Sequence, residues 1–374
     1  MPAEGKAKFL TNPADFTDVS RGSPQPHKLK GEALVKARLT PETWRLEIVS
    51  DGSTQIEKPR KLEDNTAIDL PALQELGKKK GIRFLKAMQC LNIAQPLGQG
   101  LWEGVPLREV IKLAGKVDNI RRVYYWGFHN NDPKQLFQSS LNYSLVMETP
   151  PWDLPVFVAY KLNGEPIPLT RGGPVRMVVP WAHGFKSIKW LQRIMVTNDY
   201  KANDTYALAN NDPESYLKTM ARMDDSPAAF RSGEAITLTG VAMVGWSGLK
   251  RVEYWLRPDT GTHGNLAVDD PAWTQATWLP CPILPPPDDW GGSLPKSVMP
   301  KDVWGFDAKT AKPKEWPLRF SIAQWTVTVK DLKPGAYELR VRSVDLNGYA
   351  QPEPRPNRQT GRNEIQYKPI MVTG

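Results

Sequence analysis

Apolar positions along this chain recur with a period of two far more often than with the helical period. Trp44, Leu46 and Ile48 alternate with Thr43, Arg45 and Glu47, which gives one apolar face, as a half-buried strand requires. RFLKAMQC (83–90), RRVYYWGF (121–128), PVFVAYKLNGEPIP (155–168), GPVRMVVP (173–180) and SIKWLQRIMV (187–196) read as further strands, with a hairpin turn at Asn163-Gly164. Two segments carry helical spacing. LPALQELGKKK (70–80) ends in lysines, where the helix dipole favours cations, and VPLREVIKLAG (105–115) stops at a glycine. Between Cys90 and Pro106 the glycines and prolines predict a loop. From Asp204 to Arg231 the pattern turns polar and helical, closing on the turn-like RSGE. Strands and short helices without regular βαβ spacing predict an α+β domain.

After that turn, AITLTGVAMVG, KRVEYWLRPD, QWTVTVKDL and GAYELRVRSVDLNG alternate between turn residues, as in a β-sandwich of immunoglobulin-like kind. A chain of 374 residues also exceeds what one core usually serves. The division falls within Ala229–Glu234, giving residues 1–230 (with 1–15 as an extension) and 231–374. Leu279–Pro317, rich in Pro, Trp and Lys, is too long for a hairpin loop. It reads as an insertion that covers the mouth of the first domain or a partner surface.

Composition narrows the classes. No apolar run approaches the eighteen residues of a membrane span. MPAEGKAKFLTNPADF lacks the parts of an export signal, which places the protein in the periplasm if a leader was removed and in the cytoplasm otherwise. The net charge of +9 favours anionic ligands. Its basic runs, such as Lys78–Lys80, are short and lack interleaved aromatics, which argues against nucleic acid.

Cys90 and Cys281, the two cysteines, lie in different expected domains and read as free thiols. At a strand end, Cys90 is a nucleophile, a redox centre, a soft metal ligand or a small packed hydrophobe. The four histidines, at 27, 129, 183 and 263, form no protease or zinc spacing with it. A second candidate is 162–194, where Arg171, Arg176, Lys186 and Lys189 alternate with Gly172, Gly173 and Gly184. Cations and exposed backbone N–H groups of this kind converge on anions such as phosphate.

Three features, taken in order, resemble the sulfite oxidase family of molybdopterin-dependent oxidoreductases. They are MQC followed by a loop and WEGVPL, LNGEPIPLTRGGPVR followed by SIKWL, and a tail with VDLNGYAQP, together covering Phe16 to the end. The resemblance implies a molybdopterin-binding catalytic domain followed by a dimerisation-type sandwich, hence a homodimer. It implies molybdenum-molybdopterin as cofactor, with Cys90 as the metal-ligating thiolate. It assigns Arg176 to the cofactor phosphate, Arg171 to a pterin-contacting position, and Ser187, Ile188 and Lys189 to the family's Ser-Val-Lys stretch. Arg21, Gly22 and Ser23 stand where the family has an early cofactor-contacting loop, Gly127 is expected to line the same cleft, and Tyr216 is the candidate active-site tyrosine.

The implied activity is oxygen-atom transfer to or from a small substrate, with electrons leaving to an external acceptor such as a cytochrome c. This chain departs from the family at one telling place. Sulfite oxidases continue as Cys-Ala-Gly-Asn-Arg-Arg, whereas here Cys90 is followed by Leu-Asn-Ile-Ala-Gln, without the arginine pair that helps form the sulfite pocket. There is also no CxxCH haem motif. The expectation therefore carries the cofactor further than the substrate, and a degenerate relative serving as a binding or assembly module is the alternative.

Overall fold

The computed structural model describes residues 9–206, 213–225, 227–259, 261, 266–267, 269–288, 290, 302–351 and 363–374. The first alternating segment forms strand Arg45–Ser50, and Trp44, Leu46 and Ile48 are fully buried. This strand runs parallel to Leu191–Thr197 and antiparallel to Ile68–Asp69. The sheet continues through Arg122–Gly127 to Gln138–Asn142. A second sheet has the order Glu165–Pro166, Phe157–Leu162, Pro96–Pro106, Ile82–Gln89, with Arg176–Val178 also paired to Phe157–Leu162. Trp44, Phe84, Trp102, Tyr125 and Val158 belong to one continuous core that joins the two sheets.

Helix Leu70–Lys80 starts where the Asp69 carboxylate accepts from Ala72 N at 2.9 Å, and it ends on its three lysines. The second expected helix is shorter, Leu107–Ile111 followed by a 3-10 turn at Lys112–Ala114. Two expectations are corrected here. The stretch read as a loop after Cys90 is largely strand, Pro96–Pro106. Its glycines answer to close packing rather than to turning: a Cβ on Gly104 would stand 2.1 Å from Val158 O, on the neighbouring strand. Among the described residues of 204–231 there is no helix, only a bridge at Tyr216 and strands Met220–Met223 and Ala229–Arg231. Tertiary contacts absorb the polar side chains that gave the helical pattern, as where Glu214 pairs with Arg122 at 3.4 Å.

The remaining strands form a β-sandwich. One sheet is Met220–Met223, Ile236–Met243 and Ile322–Val329; the other is Ala229–Arg231, Gln366–Thr373, Gly335–Val344, Arg251–Pro258 and Leu279–Cys281. Met220–Met223 lies on the N-terminal side of the 230/231 division yet pairs with Ile236–Met243. Leu238, Val252, Trp325, Leu339 and Ile370 fill the space between the sheets.

Part of the insertion, 289 and 291–301, lies outside the described residues. The described remainder packs against the first domain, away from the cavity mouth. Trp290, Val303 and Phe306 pack with Leu10, Leu85 and Leu101, and Trp304 N donates to Arg83 O at 2.8 Å. Leu85 alternates with the core residue Phe84, so the insertion seals the outer side of the strand that leads to Cys90. Both cysteines are free. No helix among the described residues is long and apolar enough to cross a membrane.

Gly104→Ala should destabilise the first domain by about 1–3 kcal/mol, the cost of forcing volume into a packed site. Denaturant midpoints for the domain would register it, and an unchanged midpoint would contradict the tight strand approach.

Candidate active site

Cys90 follows strand Ile82–Gln89 directly. The Gln89 side chain donates to the carbonyls of Cys90 (3.1 Å) and Ile93, which holds the turn beyond the strand. The half-buried thiol lines a cavity of about 1220 Å³, counted to its open mouth.

Arg171 ends the 3-10 turn Leu169–Arg171, Arg176 opens strand Arg176–Val178, and Ser187 to Lys189 follow the turn Gly184–Lys186. Met177 N donating to Ile188 O at 2.9 Å ties the two segments together. The fully buried Arg176 guanidinium donates to Arg171 O at 2.7 Å and Ser187 O at 2.6 Å, and it lies 5.0 Å from the centre of the Trp102 ring. Arg171 donates to Phe16 O at 2.8 Å. Lys189 Nζ reaches Ser20 Oγ at 2.6 Å, Thr170 O at 3.0 Å and Asp18 Oδ1 at 3.1 Å. Gly127 closes this corner by its lack of a side chain, since a Cβ there would stand 2.0 Å from Lys189 O.

The charges do not balance. Among the described residues Asp18 is the carboxylate paired with Lys189, and neither Arg171 nor Arg176 forms an ion pair. The Nε atoms of both arginines are buried without a hydrogen-bond partner. Burial, reinforced by Arg171, brings Arg176 down to about 9. Burial and Arg176 bring Lys189 down to about 8 despite Asp18. Burial opposes ionisation of Asp18, yet the Ser20 hydroxyl and Lys189 hold it at about 2.

A cavity wall with surplus buried cations and orphaned N–H donors suits an anionic group, and a facing thiol suits a soft metal. The residues present therefore fit a molybdenum-bearing pterin phosphate. Cys90 would hold the metal, and Arg171, Arg176 and Lys189 would hold the anionic part.

The structure brings Cys90, Arg21, Gly22, Gly127, Arg171, Arg176, Ser187, Ile188 and Lys189 to one cavity. Ser23 does not line it; its N–H donates to Gln135 Oε1 at 2.9 Å, and Gln135 is the lining residue. Tyr216 lies elsewhere. Its backbone bridges Ala182 and its ring packs 5.0 Å from that of Trp246, beside a separate depression on the sandwich.

The tyrosine that lines the cavity is Tyr206, which sequence reasoning missed. Its hydroxyl accepts from Arg21, whose guanidinium lies 4.7 Å from the Phe137 ring centre and 5.1 Å from that of Tyr206. Tyr206 stands ten residues nearer than Tyr216 to the SIKWL segment, and that nearness is the signal the sequence offers. His129 also lines the mouth, held below its ordinary value by burial against the opposing pull of Asp132.

Comparison with known proteins follows the same outline. Residues 33–205 match the oxidoreductase molybdopterin binding domain. The mitochondrial sulfite oxidase of Mus musculus is 29% identical over 185 residues, 44% of this chain and 32% of that protein. The NADPH nitrate reductase of Fusarium oxysporum is 33% identical over 130 residues, 35% of this chain and 14% of that protein. The inducible NADH nitrate reductase 1 of Glycine max is 31% identical over 116 residues, 30% and 13% of the two chains. The matched stretch thus spans between 13% and 32% of these relatives' lengths. Among solved structures, the sulfane dehydrogenase SoxCD of Paracoccus pantotrophus superimposes with a TM-score of 0.59, covering 93% of this chain and 86% of that one at 16% identity, a likeness of fold.

The cradle should bind inorganic sulfate in the cofactor-free chain, because sulfate keeps a constant charge across the pH range of interest. The Lys189 cation exists below its lowered value of about 8 and is lost above it. Calorimetry should therefore show affinity falling as pH rises through about 8, and Lys189→Met should remove that first fall while leaving the one toward and above about 9, where Arg176 loses its charge.

Proposed function

We propose that this chain, whose residues 33–205 match the oxidoreductase molybdopterin binding domain, is a molybdenum-molybdopterin oxidoreductase of sulfite oxidase type that transfers an oxygen atom to or from a small anionic substrate. A sulfur oxyanion fits this reading, with electrons passing singly to an external redox protein such as a cytochrome c. The single observation that carries it is a free cysteine facing an uncompensated cation cradle across one open cavity.

The bound molybdenum centre supplies two-electron redox chemistry coupled to oxygen transfer. The chain supplies the rest. Cys90 contributes a soft anionic ligand, and the cradle fixes the pterin end through charge-assisted hydrogen bonds. Arg21 offers a cation for an anionic substrate, and its guanidinium rests against both Phe137 and Tyr206, whose rings meet edge-on at 5.7 Å. Oxidation with water as the oxygen source releases two protons and two electrons. His129, kept neutral near pH 7 by its burial, can accept one of those protons at the mouth. In the cysteine loop, Ala94 and Gln95 stand where sulfite oxidases carry their arginine pair, so the substrate cation in this reading comes from the N-terminal segment instead.

Full-length protein from a cofactor-producing host should carry near-stoichiometric molybdenum and pterin by metal and fluorescence analysis; their absence would favour a binding module instead. Cys90→Ser should abolish turnover of sulfite, sulfoxides or nitrate with an artificial electron carrier while leaving the circular dichroism spectrum intact. Tyr206→Phe should lower kcat/KM about tenfold, the scale of one hydrogen bond to a charged group.

A further inference from the structure

Behind the cavity wall lies an ion pair that oxygen transfer does not touch. Lys186 is fully buried, and its Nζ donates to Asp204 Oδ2 and to Ser140 O, each at 2.8 Å. The same carboxylate oxygen accepts from Ser140 N at 3.1 Å and from the hydroxyls of Ser139 and Ser140 at 3.3 Å. Asp204 Oδ1 accepts from Tyr206 N at 3.3 Å. Each partner belongs to a different part of the wall. Lys186 sits between Phe185 and Ser187, which both line the cavity, and Asp204 precedes Tyr206, which lines it too. The Phe185 and Tyr206 rings meet at 5.0 Å with planes at 66°.

The turn at Lys186 has its own backbone support, with Lys186 N donating to His183 O at 3.0 Å and Tyr125 Oη donating to Lys186 O at 2.9 Å. The lysine side chain is not needed to form that turn. Residues 203–206 lie outside any strand or helix. A buried ion pair is a costly way to add stability, and its best-attested use is to fix which elements meet and in what register.

We infer that Lys186 and Asp204 form a positioning pair that sets the Phe185–Tyr206 wall against the cofactor-facing turn and so governs access to the Cys90 sulfur. Its consequence for turnover rests on the function proposed above, but the geometry can be tested without it. The two cysteines report separately: Cys90 is half-buried in this cavity, whereas Cys281 is buried in the sandwich.

In the cofactor-free full chain, Lys186→Met combined with Asp204→Leu removes both charges together. A thiol reagent should then label Cys90 about tenfold faster, with the Cys281 rate unchanged, as local rather than global opening requires. Both rates rising together would make the pair a plain stability element, and an unchanged Cys90 rate would remove it from access control; either result overturns the inference.

Should the double variant fail to fold, hydrogen exchange on the unaltered chain decides. Amides of 184–188 and 203–206 are expected to open as one unit, and independent opening would overturn the pairing. Made in a cofactor-producing host, the folded double variant should keep wild-type molybdenum, because Arg171, Arg176 and Lys189 are untouched. Its loss from the variant alone would place the pair in cofactor binding and overturn the inference. A wild-type chain without molybdenum would instead sink the proposed function and leave the labelling result standing.

Discussion

Positive charge buried without a matching negative charge is the constraint around which the first domain is arranged. Arg176 is held by the carbonyls of Arg171 and Ser187 and by the face of Trp102, so every group that solvates it is neutral. Carbonyl dipoles keep a guanidinium tolerable inside a protein but leave its charge uncancelled. Arg171 beside it raises the cost further, and Asp18, the carboxylate at this corner, is paired with Lys189 and with His27 at 3.7 Å rather than with Arg176. An anion brought to about 4 Å from such a cation gains about 4 kcal/mol at an effective dielectric of 20. Strain of this kind persists where a ligand relieves it, which is why the cradle reads as a binding surface rather than a structural network.

The thiol side is fixed from two directions. Phe84 and Met88 of the cysteine strand face the core between the sheets, while Leu85 faces the insertion through Trp290 and Phe306. Between them Lys86, fully buried, donates to Pro180 O at 2.7 Å and Ala182 O at 3.1 Å. Burial and the charge of Arg176 push Lys86 well below its ordinary range. The strand that delivers Cys90 is thereby stitched to the segment that leads into Ser187, which ties the position of the thiol to that of the cradle.

Features encoded over a short stretch are legible in the sequence. Cys90 at a strand end and the cations of 171–189 are each set by alternation and turn residues within a few positions, so the local pattern suffices to find both. Tyr206 escapes such a reading, because its place depends on Asp204 meeting Ser139, Ser140 and Lys186, all distant along the chain. Tyr216 satisfies the same residue-type expectation but is drawn away by its contacts with Ala182 and Trp246. Pro96–Pro106 reads as a loop because its glycines look like turn residues; only the neighbouring strand at Val158 shows that they make room. The insertion is recognisable by its length and composition, but the surface it covers is a tertiary fact.

The N-terminal segment gains its meaning from the missing arginine pair. Thr11 N and Thr17 N donate to Gln99 O at 2.8 Å and Leu97 O at 2.9 Å, laying this segment along the cysteine-side sheet. Phe16 O then receives Arg171, and Asp18 and Ser20 receive Lys189. Arg21 arrives at the mouth as the next cation after these anchors, against the ring of Tyr206 from the Asp204 segment and that of Phe137 beside the strand Gln138–Asn142. A segment that binds the cradle on one side and presents a cation on the other would, on the proposed function, couple cofactor seating to substrate charge. On the function proposed above, the positive charge absent beside the cysteine is supplied across the cavity by Arg21, and the Phe137–Tyr206 wall that carries it is where substrate choice would be set.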